Sequence, residues 1–184
     1  MFKIIPWNES LDLTDFYRIA EQKGFTNNSS QKAMIDCFDR EPEKCVYILY
    51  YNDIAVGSCA AHTFDIMGEN SYRICARTCV FSDMIPYKSL RTRNQIVTHQ
   101  HITSQFLIPA CINWAPKGSR LFITSTDSDL GTQRLVHNIF GPAMAQTGQM
   151  QRIGDVVYRN TNQTVWELFP EVFMNALNKY PRWV

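Results

Sequence analysis

Four soft donors stand close together in this chain, Cys59 and His62 followed by Cys75 and Cys79, and short spacings of this kind can hold zinc. Both pairs fall inside segments that read as extended strands, where successive side chains alternate between faces. Cys59 and His62 therefore diverge instead of converging on one ion, and buried thiols are the simpler reading; no metal is expected. All six cysteines, Cys37, Cys45, Cys59, Cys75, Cys79 and Cys111, lie singly within apolar stretches. That is the pattern of small core residues in a reducing compartment and not of a disulfide framework. His99 and His101, two positions apart on one helix, point roughly 200° apart and cannot share a ligand. There is no Gly-x-Ser-x-Gly elbow, no comparable cysteine setting and no Walker-type phosphate loop, so no local signature assigns a reaction.

The order of elements is more informative. Phe2 to Trp7 reads as a strand, and Asn8 or Ser10 can cap a helix whose apolar positions Leu13, Phe16, Tyr17 and Ala20 recur at helical spacing before Gly24. Ser29 or Ser30 can cap a second helix that buries Ala33, Met34, Cys37 and Phe38 and cannot continue past Pro42. Val46 to Tyr51 is β-branched and aromatic, and Asn52-Asp53 accepts the positive φ of a tight hairpin turn. Ile54 to Ile66 returns, Gly68 to Ser71 turns again, and Tyr72 to Ser82 completes an antiparallel meander with Arg73, Cys75, Arg77 and Cys79 on one face.

Asp83 to Leu90 is a connection, and Arg91 to Trp114 is the longest helical pattern, with Pro109 predicting a kink or an early end near Ile108. Arg120 to Ser125 is a short strand. Asp127 or Ser128 can cap the next helix, which Gly141-Pro142 should stop, leaving Ala143 to Gln151 as a polar loop. Ile153 to Arg159 and Thr164 to Phe169 flank a turn at Asn160 to Gln163, and a helix from Pro170 to Tyr180 follows. With no repeat or linker, one domain spanning 1–184 is expected.

Two local stretches stand out in this order: Tyr50-Tyr51-Asn52-Asp53-Ile54-Ala55-Val56-Gly57, and Arg134-Leu135-Val136-His137-Asn138-Ile139-Phe140-Gly141. Together with the sequence of elements they resemble the GNAT superfamily of N-acetyltransferases over nearly the whole chain. The resemblance implies an α/β fold with a mixed, mostly antiparallel central sheet flanked by helices. It implies acetyl-CoA as cofactor, held by Val80, Phe81 and Ser82 at the end of the third meander strand and by Arg91, Arg93, Asn94, Gln95 and Ile96 at the start of the long helix. Proteins of this type place small residues in that loop, where helix N-terminal amides approach a pyrophosphate. Here Asn94 and Ile96 stand in those places, while Lys88, Arg91 and Arg93 could neutralise phosphate through their side chains or simply form a solvated basic turn.

The family commonly supplies a tyrosine acid four residues before the glycine that ends the fourth helix, and His137 occupies that place before Gly141. As an imidazolium it could protonate a departing thiolate; a structural, hydrogen-bonded histidine is the competing reading. Asp83 is placed to act as base, or merely to start a turn. The resemblance also admits a catalytically idle binding or interaction module of the same fold.

The 18 basic and 17 acidic side chains leave a formal charge of +1, which gives no electrostatic footprint for nucleic acid or an anionic membrane. No apolar run approaches the roughly 20 residues of a membrane helix, and Pro6, Trp7 and Glu9 interrupt the place of a secretory signal. A cytoplasmic protein is expected, acting on a small-molecule amine or a protein amino group, with a homodimer compatible with either.

Overall fold

A computed structural model describes residues 2–7, 41, 43–78, 103–126 and 141–178. The two early helices, the beginning of the long helix and the helix expected after Asp127 fall outside these residues. The chain divides into two compact units.

The first unit contains Met1–His62 and Ala76–Trp114. Its strands β1 (Phe2–Pro6), β2 (Lys44–Tyr51) and β3 (Ile54–Thr63) pair antiparallel in chain order. β2 is apolar on both faces, and Val46, Ile48 and Leu49 are buried, as expected of a strand covered on two sides. The turn into β3 is the expected one: Asn52 and Asp53 have φ of 48° and 64°, the two-residue geometry whose twist matches the flanking strands. A bulge between Leu49 and Tyr50 then shifts the register.

The tail of the long helical pattern also belongs to this unit. Thr103–Leu107 forms a π-helical segment that runs into α1 (Ile108–Trp114). Pro109 thus does not end the helix near Ile108. The irregularity falls in the turn before it, where wider spacing absorbs the missing N–H that a regular helix would need. Leu107, Ile108 and Cys111 are buried in the helical segment, which packs on β2, and the Phe2 ring lies 4.7 Å from that of Phe106.

The second unit contains Thr63–Cys75 and Ala115–Pro181. β4 (Ser71–Thr78) begins in it and pairs parallel with β5 (Arg120–Thr126); β5 pairs antiparallel with β7 (Thr161–Leu168), and β7 with β6 (Met150–Tyr158). The pairings described within the two units are therefore antiparallel apart from β4 with β5. The strand expected to reach Ile66 stops at Thr63, because Phe64 opens a tight helical turn over Asp65–Met67. Gly68 at φ 97° closes that turn, a conformation that L side chains rarely adopt.

The closing hairpin is tighter than expected. Its turn is Arg159-Asn160, at φ 50° and 59°, and Thr161 to Gln163 already belong to β7. A bulge at Arg152/Gly154 kinks β6, with Gly154 at φ 149°. The stretch after Gly141-Pro142 is also corrected: Ala143 to Gln146, expected in a polar loop, are helical within α2 (Gly141–Gln146), while the helix expected to stop at Gly141-Pro142 lies outside the described residues. α3 (Pro170–Leu177) starts with Pro170 and buries Phe173. The core of this unit is Phe64, Phe122 and Val165, fully buried, with Met67, Val156 and Tyr158 packed around them. The Tyr158 ring meets Phe64 edge-on at 5.1 Å, a favoured aromatic arrangement.

Candidate functional site

His137, Asp83, Val80, Phe81, Ser82, Arg91, Arg93, Asn94, Gln95 and Ile96 lie outside the described residues, as does Lys88. The described residues include the strands that lead to several of them. The parallel register of β4 with β5 runs from Ser71↔Arg120 to Ile74↔Ile123. β5 keeps pairing with β7 as far as Thr126↔Gln163.

On one face of the same unit, strand alternation and register bring together Arg73 of β4, Phe122 and Thr124 of β5, and Gln163 and Val165 of β7. The half-buried Arg73 guanidinium donates from Nε to Thr124 Oγ1 at 2.6 Å and from Nη2 to Gln163 Oε1 at 3.3 Å. Its Cζ lies 5.4 Å from the centre of the Tyr158 ring. Gln163 is itself held, its Nε2 donating to Thr161 Oγ1 at 3.0 Å while the Thr161 hydroxyl donates to the Tyr158 carbonyl at 2.8 Å. Thr124 and Gln163 are buried, so the acceptors are fixed.

Every one of these partners is neutral. Arg120, further back on β5, offers the contrast: its guanidinium grips Glu167 through Nε at 2.8 Å and Nη2 at 3.0 Å, at the surface. That hydrogen bonding raises the Arg120 pKa above its ordinary value. Arg73 has no such carboxylate among the described residues. It escaped the reading of residue types because it was placed only as a member of one strand face, with Cys75, Arg77 and Cys79.

The cysteine and histidine group is not assembled. In β3, Cys59 sits opposite Tyr47 and His62 opposite Lys44, three positions apart and so on opposite faces. His62 is buried with Nδ1 3.8 Å from Glu41 Oε1. Cys79 lies outside the described residues, and among those described no cluster of three or more His, Cys, Asp or Glu is placed to hold a metal. Cys45, Cys59, Cys75 and Cys111 carry thiols, not disulfides. The Cys45 thiol is pushed well above its ordinary pKa, first by its hydrogen bond with Cys111 and then by burial. Among the described residues no helix is long and apolar enough to cross a membrane.

No family model matches this chain, and no curated protein matches it by sequence. Solved structures do match. A putative acetyltransferase of the GNAT family from Desulfovibrio desulfuricans superposes with a TM-score of 0.59 at 9% identity, over 92% of this chain and 99% of its own. A GNAT family acetyltransferase from Elizabethkingia anophelis with acetyl-CoA bound gives 0.52 at 14% identity, over 91% and 97%. A spermidine N-acetyltransferase chimera from Vibrio cholerae and hSSAT gives 0.55 at 6% identity, over 95% and 98%. With the strand pairings described above, these superpositions identify the architecture: the chain has the fold of the GNAT acetyltransferases.

Proposed function

We propose that this protein is an acyl-CoA-dependent N-acyltransferase that moves an acetyl group to an amine. The likeness of nearly the whole chain to a structure with acetyl-CoA bound carries this reading. Val80, Phe81 and Ser82, following β4, would hold the cofactor together with Arg91, Arg93, Asn94, Gln95 and Ile96. Lys88, Arg91 and Arg93 would offset phosphate charge where Asn94 and Ile96 replace small residues. When bound, acetyl-CoA supplies an activated acetyl thioester. Asp83 takes a proton from the acceptor ammonium, directly or through water, and His137 holds a proton for the leaving sulfur. The acceptor is a small-molecule amine, as in the spermidine enzyme of the same fold, or a protein amino group.

Calorimetric titration with acetyl-CoA tests this function: saturable binding is expected, and no heat at millimolar ligand overturns it. A second reading, an idle interaction module, is favoured by Asn94 and Ile96 at the loop positions. It predicts an unchanged melting temperature with coenzyme A together with a defined oligomer or a copurifying partner.

A further inference from the structure

The Arg73 guanidinium has three features that together describe a receptor. First, it is oriented before any ligand arrives: Thr124 and Gln163 take the edge formed by Nε and Nη2, and Cζ lies over the Tyr158 ring, 5.4 Å from its centre. An arginine held at two points has already lost much of the rotamer freedom that binding would otherwise cost. Second, of its five N–H groups only two are engaged by described residues, which leaves both on Nη1 and the second on Nη2. Those groups form the end edge of the guanidinium, the geometry that takes a carboxylate through two parallel bonds. Third, the cation is half-buried with only neutral partners among the described residues, and a partly desolvated charge is costly until it is paired.

We infer that Arg73 binds the carboxylate of the acceptor, so that the amine substrate is an amino acid or another amine bearing a carboxylate close by. This deepens the acyltransferase reading and rests on it. A carboxylate is favoured over a diphosphate because the open end edge of a single guanidinium matches the two oxygens of one planar carboxylate, while the second described cation on the same Tyr158 ring, Arg159 with its Cζ 4.8 Å from the ring centre, lies in the exposed β6–β7 turn.

The test measures kcat/KM for glycine, L-alanine and L-phenylalanine against their carboxamides, in the wild type, Arg73→Gln and Arg73→Lys. The wild type is expected to favour the acids at least tenfold, Arg73→Gln to bring the ratio to about one, and Arg73→Lys to retain part of it, with the KM for acetyl-CoA unchanged throughout. A wild-type ratio of one, or a tenfold preference that survives in Arg73→Gln, overturns the inference. So does a KM for acetyl-CoA that rises in Arg73→Gln as much as that for the acids, which would assign the site to phosphate. If acetyl-CoA is neither bound nor consumed, the proposed function fails on its own. Calorimetry of the same acids and amides against the protein alone then decides the carboxylate site: acids binding at least tenfold more tightly than amides supports it, and equal or absent binding overturns it. The wild-type ratio needs no variant, so a misfolded substitution does not obscure the result.

Discussion

At the scale of single residues, chemistry and packing draw on different side chains. Phe122 and Arg73 share a face of the second unit, yet one is fully buried core and the other is held only by neutral groups. The acid role proposed for His137 makes a direct prediction. Replacing it by alanine removes a proton donor worth about 10²-fold or more in rate, so kcat should fall by that order while the KM for acetyl-CoA changes little. Turnover at the wild-type level in a thiol-release assay would leave His137 a structural role. Residue types alone correctly dispersed the Cys59 and His62 pair, because alternation in a strand is a strict geometric rule. They did not single out Arg73, since its surroundings come from Thr124, Tyr158 and Gln163, which only strand pairing brings near.

At the scale of elements, turns and thiols carry the testable energetics. Asp53 sits at φ 64° in the β2–β3 turn, which aspartate tolerates and a β-branched residue does not. Asp53→Val should therefore cost about 1–2 kcal/mol and Asp53→Gly essentially nothing, read from urea midpoints; equal midpoints would mean the turn carries no such constraint. The hydrogen-bonded Cys45 and Cys111 join β2 to α1 and give a pH dependence. Because the folded Cys45 pKa is raised, the folded state holds its proton where the unfolded thiol, with an ordinary value of 9.0, loses it. Stability from this source is fully present below that value and is lost as pH rises above it. The urea midpoint should fall between pH 9 and pH 10, and Cys45→Ala should flatten that slope; the same slope in the variant would point to another group. Burial also raises the pKa of Tyr47, which adds a fall of the same sign at higher pH. The first hairpin turn was legible from Asn52-Asp53, but the second was not. Asn160-Thr161-Asn162-Gln163 is uniformly polar, so composition could not show that the chain reverses at Arg159-Asn160 and that the buried Gln163 belongs to β7. The polar stretch from Ala143 misled for a related reason: its composition suits a loop, yet Ala143, Met144, Ala145 and Gln146 are good helix formers and belong to α2.

At the scale of the whole molecule, the order of elements was the legible signal, because hairpins, a long crossover and a closing hairpin in that succession leave few alternatives. The parallel β4–β5 register was beyond reading, since partners so far apart in the chain leave no mark on either segment. A single domain is proposed for the full length; calorimetric unfolding should then give one transition with equal van't Hoff and calorimetric enthalpies, and two resolved transitions would refute it. The pairing of β4 with β5 also bears on how the protein is made. At its base, Ser119 Oγ donates to Asn70 Oδ1 across 49 positions of sequence, and the Arg120 amide donates to the Asn70 carbonyl at 2.9 Å. Closing a loop of that size costs on the order of 2–3 kcal/mol more entropy than closing a hairpin, whereas β6 and β7 meet across two residues. Refolding should accordingly protect β6 and β7 amides against pulsed exchange before those of Ile74 and Phe122, and simultaneous protection would contradict that order. A nascent chain leaving the ribosome would hold β4 without its parallel neighbour until β5 emerged, an interval in which a chaperone has the most to shield.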